Sequence, residues 1–266
     1  MKNLENIHLL IMLILLVAVG QMAQAIYVPN IADMAASLAV KPGAVQRVMA
    51  AYLLTYGGSQ LVYGPLSDNI GRKPVILTGL MIFLIGAAGA MMSTSLTMLI
   101  VFAAIQGLGT GVAGVMARTM PRDLYSGGAL RHANSLLNMG ILVSPLLAPV
   151  IGGALSAWLG WRASFGFLLI LCAGVAFSMY RWLPETRPDF TADHPPRNML
   201  SSLRLLLADA NFSRYLVILV GALAGVAVFE ASCGVLLGGV LGLSGAMVSV
   251  LFILPIPAAF FGAWYA

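Results

Sequence analysis

One acid stands alone inside a long apolar run. Glu230 interrupts residues 215–239, about 22 Å along that stretch if it is helical. A charged carboxylate in hydrocarbon costs at least about 2.5–3.5 kcal/mol, so it is expected to face a bundle interior or water. Desolvation favours the neutral form of a carboxyl group, which suits such a residue to carrying or gating a proton. It could equally be an acid tied to a neighbouring helix by hydrogen bonds. Asp33, placed at one membrane boundary, is a second proton-coupling candidate, or a helix cap. Arg118 marks the opposite boundary, either snorkelling to the interface or contacting Asp68 at a gate.

Around these charges lie polar stripes. Tyr52, Tyr56, Gln60 and Tyr63 fall within about 80° of one another on a helix. Gln21 and Gln24 form a shorter stripe. In lipid such stripes should turn inward, as packing amides or as the wall of a cavity. Tyr63 is expected instead in an interfacial aromatic belt. A wall of aromatic faces and few fixed charges would accept flat, hydrophobic and often cationic compounds, and would discriminate poorly among them. Asn134 and Asn138 share a face at the start of a later run. His8, His132 and His194 have no metal-ligand spacing, and neither a Ser–His–acid set nor a phosphate-binding loop is visible.

These groups are set in a chain that is 60% apolar and 9% charged over 266 residues, with a mean hydropathy of +0.95. A soluble domain carries about 25% charged residues, so the solvent for most of this chain is lipid. A cytosolic enzyme, a disulfide scaffold, a disordered tail and a nucleic-acid binder are excluded. Cys172 and Cys233 sit in apolar runs and read as small buried hydrophobes.

The charge-free runs set the spans, because a crossing helix needs about 20 apolar residues. They are 9–32, 48–67, 133–161, 163–180, 215–239 and 248–266, together with 74–117. The last is too long for one helix and splits at Ser93-Thr94-Ser95 into spans three and four. Lys2, the run after it and Ala23-Gln24-Ala25 mimic a signal peptide, but the apolar stretch continues and reads as a retained first span. With the N-terminus cytoplasmic, eleven of the fourteen Lys and Arg residues fall on the inner side, leaving only Lys41, Arg47 and Arg162 outside. The chain divides into a six-helix bundle at 1–183, an inner connecting loop at 184–212 and two further helices at 213–266. Within the loop, leucines at helical spacing in 199–209 suggest a short helix on the inner membrane surface, with an unstructured linker as the alternative.

Two motifs carry more information than composition does. Between spans two and three runs Gly64-Pro65-Leu66-Ser67-Asp68-Asn69-Ile70-Gly71-Arg72-Lys73-Pro74. Gly64 permits close helix approach, Gly71 a tight turn, and Arg72 with Lys73 hold the loop inside. This order resembles the signature loop of the major facilitator superfamily. Span five contains Ser144-Pro145-Leu146-Leu147-Ala148-Pro149-Val150-Ile151-Gly152-Gly153, which resembles the antiporter motif of drug–proton exchangers in that superfamily. Pro29-Asn30-Ile31-Ala32-Asp33-Met34 fits the same pattern. Two positions depart from it. Ala103 stands where an arginine usually precedes Gln106-Gly107, which unsettles the usual proton-relay assignment, and Asn69 replaces a commonly basic residue.

The resemblance implies an all-α polytopic fold of two six-helix bundles, of which this chain would supply the first and two helices of the second. It implies a monomeric bacterial inner-membrane transporter, not an enzyme. Such a transporter exports hydrophobic or amphipathic drugs in exchange for protons by alternating access. The proton gradient supplies the energy and no cofactor is expected. Export of one metabolite or sugar, or an inactive fragment or scaffold, are the alternatives.

Overall fold

In a computed structural model, residues 2–186, 199–244, 247–248 and 250–251 are described, and every regular element among them is helical. The elements are α1 (Lys2–Ala25), a 3₁₀ turn (Val28–Asn30), α2 (Ile31–Ser37), α3 (Pro42–Ile70), α4 (Arg72–Met91) and α5 (Leu96–Leu124). They continue with α6 (Gly127–Leu159), α7 (Arg162–Trp182), α8 (Met199–Ala208), α9 (Ala210–Cys233) and a π-helical turn (Gly234–Val240). The predicted runs 48–67, 133–161 and 163–180 fall on α3, α6 and α7, 74–117 on α4 and α5, and 215–239 on α9 with the π-helical turn; the eighth, 248–266, lies almost wholly outside the described residues. In the connecting loop, α8 forms where a short helix was expected.

The first span is not one helix, as had been expected. Its apolar run is continuous, but α1 stops at Ala25, and Pro29 sits inside the 3₁₀ turn before α2 begins. Proline has no N–H to continue an α-helical ladder. The split of 74–117 falls where Ser93-Thr94-Ser95 placed it: α4 ends at Met91, and the Ser95 hydroxyl caps α5 by accepting the Met98 N–H at 3.2 Å.

Among the described residues, five helical stretches are long and apolar enough to cross a membrane: Ile7–Ser37, α4, α5, α6 and α7. The exception in this first bundle is α3, whose 29 residues are long enough but are diluted by Gln46, Arg47, Tyr52, Tyr56 and Gln60. A helix this polar is stable in lipid only when its polar face is covered by protein. That cover is α5. It is the hub of the bundle, packed on α3 and α4 and touching α1 and α6, while α1 packs on α6 and α4 on α7.

Hydrocarbon gives little hydrophobic drive for one helix to bury another, so close backbone approach and interhelical hydrogen bonds must hold the bundle. On α5, a methyl group at Gly111 would collide with the Ser59 hydroxyl of α3, and one at Gly109 with the α4 backbone at Phe83. Thr55 Oγ1 donates to the Ala104 carbonyl at 2.8 Å, and the Tyr63 hydroxyl to the Leu108 carbonyl at 2.9 Å. Tyr63 is therefore no interfacial belt residue: it is 7% exposed and ties α3 to α5. Cys172 is fully buried, its thiol directed at the Leu80 carbonyl. Large apolar side chains such as Leu54, Met81, Ile85, Ile170 and Phe177 remain exposed on the outside.

Candidate functional site

The polar stripes meet near the middle of α5. The Tyr52 hydroxyl donates to the Gly20 carbonyl of α1 at 2.8 Å and lies 2.8 Å from Thr110 Oγ1 of α5. At about 1.5 Å per residue, Thr110 is about 22 Å from the Ser95 end of α5 and about 20 Å from Asp123, so this three-helix junction sits near the membrane midplane. Tyr52 is 2% exposed. It is a tie between helices, with its ring stacked under Tyr56 at a centroid distance of 6.0 Å. Tyr52→Phe should lower stability by about 1–2 kcal/mol, read as a fall in the thermal unfolding midpoint, because it deletes a buried donor shared by three helices.

Polar groups extend in both directions from this junction. Gln21 and Gln24 are half-buried on α1, joined to each other by a 2.9 Å hydrogen bond. On the other side come Tyr56 and Gln60 of α3, half-buried and hydrogen-bonded to one another. They pack over Gly114 of α5, where a methyl group would lie 2.7 Å from the Tyr56 hydroxyl and 3.1 Å from the Gln60 amide nitrogen. Arg118 follows Gly114 by four residues, is exposed, and acts electrostatically on the Tyr56 hydroxyl. The gate contact considered between Arg118 and Asp68 is not made. Asp68 pairs with Arg72 at 2.6 Å, because Arg72 begins α4 directly across the turn.

The signature loop is a single residue. Gly71 alone separates α3 from α4, with φ +108°, a conformation that L side chains rarely adopt. Arg72 is 3% exposed and its guanidinium is spread over three partners: Ser67 Oγ at 2.5 Å, Asp68 at 2.6 Å and Asp123 of α5 at 3.0 Å. Glu185, beyond α7, accepts the backbone N–H groups of Arg72 at 2.8 Å and Lys73 at 3.1 Å. A carboxylate at the first turn of α4 satisfies free donors and complements the helix dipole. Lys73 has a different role: its side chain lies over the Tyr180 ring, 5.9 Å from the centroid. The close helix approach expected at Gly64 is not made: nothing lies within 4 Å of where its Cβ would be.

At the opposite end, the antiporter-like segment meets the break in span one. α6 runs through Pro145 and Pro149, and buried Gly152 and Gly153 follow. A methyl group at Gly152 would fall on the Ile26 carbonyl oxygen. Asn30, fully buried, donates through its Nδ2 to the Gly152 carbonyl at 3.2 Å and Ser164 Oγ of α7 at 3.3 Å. Asp33 is exposed in the first turn of α2. Ala103, the position where an arginine was expected, is 2% exposed in the core, and the neighbouring Gln106 is 1% exposed. Glu230 lies in α9, but its side chain is outside those described.

Sequence reasoning missed Asp123, Glu185, Thr110 and Asn30 as partners. Asn30 had a signal, since it sits within the quoted Pro29–Met34 motif. The two acids had a fainter one: both fall near arginines in segments assigned to the same side as Arg72.

Comparison with known proteins agrees with the two motifs. Residues 13–266 match the family described as Major Facilitator Superfamily. The chain is 64% identical over all 266 residues to multidrug resistance protein D of Escherichia coli K12, spanning 67% of that protein. It is 28% identical over 227 residues to a chloramphenicol resistance protein of Pseudomonas aeruginosa, spanning 53% of it. The solved structure of the Escherichia coli multidrug transporter EmrD covers 97% of this chain, with 68% of its own length matched and a TM-score of 0.55. A bacterial homologue of the lysosomal transporter Spinster, crystallised inward-facing, shares the fold at 17% identity, a TM-score of 0.74 and 63% of its length. The chain is thus a multi-pass membrane protein rather than an enzyme, and it belongs to the major facilitator superfamily.

Proposed function

We propose that this chain is part of a drug–proton antiporter of the bacterial inner membrane, with its N-terminus cytoplasmic, exporting hydrophobic and amphipathic compounds by alternating access. The observation that carries this reading is the polar and aromatic strip at the bundle's middle: Gln21, Gln24, Tyr56 and Gln60 are half-buried at membrane depth, while the outer surface is apolar. Half-exposed amides and a phenol among helices belong beside a water-filled or ligand-filled space, because lipid would leave their polar atoms unsatisfied. Aromatic faces with few fixed charges suit many ligands loosely rather than one tightly. The names of the relatives at 64% and 28% identity point the same way.

The energy source is the proton gradient, with Glu230 and Asp33 as the coupling carboxyls and no cofactor. Protonating an acid that faces a cavity changes the relative stability of inward-open and outward-open arrangements. The working unit is a monomer. In proteoliposomes carrying an imposed pH gradient, unrelated apolar dyes should compete with one another for transport. Strict selectivity for one compound would replace this reading with a dedicated metabolite exporter. Glu230→Gln should abolish gradient-driven efflux while leaving equilibrium dye binding intact; unchanged efflux would remove Glu230 from the coupling step.

A further inference from the structure

A cavity built for neutral or cationic drugs would not be expected to hold a fixed cation beside its aromatic wall, yet Arg118 is placed there. It is on the same face of α5 as Gly114, one turn toward the signature loop. Gly114 lets the Tyr56 hydroxyl and Gln60 amide of α3 lie directly on the α5 backbone, within 2.7 and 3.1 Å of where a Cβ would be. Arg118 acts electrostatically on that hydroxyl. Among the described residues the ion pairs are Arg72–Asp68 and Arg72–Asp123, so Arg118 is paired with no acid there. By helix rise its α-carbon is about 12 Å from the Tyr52–Thr110 junction, at the edge of a hydrocarbon core about 30 Å thick.

We propose that Arg118, Tyr56 and Gln60 form an anion-accepting subsite at the loop-side end of the cavity, which takes the carboxylate head of an amphipathic compound whose apolar body lies along the Tyr52–Tyr56 stack. The guanidinium supplies paired donors that match a carboxylate, and the hydroxyl and amide add neutral donors beside it. This rests on the cavity assigned above and specifies its substrate class: anionic amphipaths are preferred over permanent cations of the same ring system.

The test is equilibrium binding to the full chain in lipid nanodiscs, with empty discs subtracted, using three pyrene probes of matched length. One carries a carboxylate, one an alcohol and one a trimethylammonium group. The carboxylate should bind tightest to the unmodified protein. Arg118→Gln should weaken the carboxylate about tenfold or more and leave the alcohol unchanged, as expected for loss of one charge-assisted interaction. Arg118→Lys should recover part of the loss, and Tyr56→Phe should weaken the carboxylate more than the alcohol. An unchanged carboxylate affinity in Arg118→Gln overturns the subsite. So does an equal fall for carboxylate and alcohol, which would mark Arg118 as structural. If none of the three probes binds the unmodified protein, the cavity reading fails and the subsite with it.

Discussion

Arg72→Ala is expected to lower stability by about 3 kcal/mol or more and to abolish transport, because it removes the cation around which the loop end of the bundle is organised. The Arg72 side chain is 4% exposed, and its partners Asp68 and Asp123 are 40% and 11% exposed. Burial already disfavours the charged form of Asp123, and without the guanidinium it is left in a largely covered position with no compensating cation and with Asp68 and Glu185 acting on it as like charges. Solvent screens Asp68, so most of the loss comes from Asp123. Lysine at 72 should recover only part of it. The arginine fork holds Ser67, Asp68 and Asp123 at once through Nη1 and Nε, and an ammonium is a single point charge. The control is the next residue. Lys73→Ala keeps the backbone N–H that Glu185 accepts and loses only a cation–ring contact at 5.9 Å, so its stability should stay within about 0.5 kcal/mol of the unmodified protein. Thermal unfolding of the three variants in nanodiscs decides the matter. An Arg72→Ala protein that melts with the unmodified one would show that the loop cluster is not a structural anchor.

Adjacent cations of the same motif thus have opposite weight, and the sequence could not rank them. The motif fixes residue types within eleven positions, but what distinguishes the Arg72 side chain from that of Lys73 is contact with Asp123, 51 residues away. The rule that sets orientation counts lysines and arginines and ignores acids, so the acids that complete the cluster went unread. The helices were legible for the converse reason. Lipid demands long apolar runs with every backbone group paired internally, and that demand is written locally. Even there, hydropathy hid the break at Pro29, because a 3₁₀ turn made of Val28, Pro29 and buried Asn30 leaves the apolar run uninterrupted. The strip on α3 was legible as a helical periodicity. Its division into tie residues, Tyr52 and Tyr63, and half-exposed ones, Tyr56 and Gln60, depended on where α5 placed its glycines.

That dependence on a neighbour's backbone is strongest at Gly152, where the second large effect is expected. A Cβ at this position would coincide with the Ile26 carbonyl oxygen and lie 2.8 Å from its carbon. Both sides of the clash are main chain, so no rotamer change relieves it, and overpacking of this kind costs about 3 kcal/mol or more. Ile26 cannot retreat easily: it lies in the junction between α1 and the 3₁₀ turn, which Asn30 pins to the Gly152 carbonyl and to Ser164. Gly152→Val should therefore separate α6 from α1 and release Asn30 from both partners, opening the end of the bundle opposite the signature loop. Gly174→Ala on α7 is the matched control, since nothing lies within 4 Å of its would-be Cβ, and it should be neutral or slightly stabilising. Ser164 is fully buried, so a cysteine placed there reports the change directly. In the Gly152→Val background Ser164→Cys should react with a membrane-impermeant maleimide, and in the otherwise unmodified chain it should not. Equal protection of that cysteine in both backgrounds, with an unchanged melting midpoint, would mean that α6 can shift past Ile26 and that the glycine is not needed for the contact.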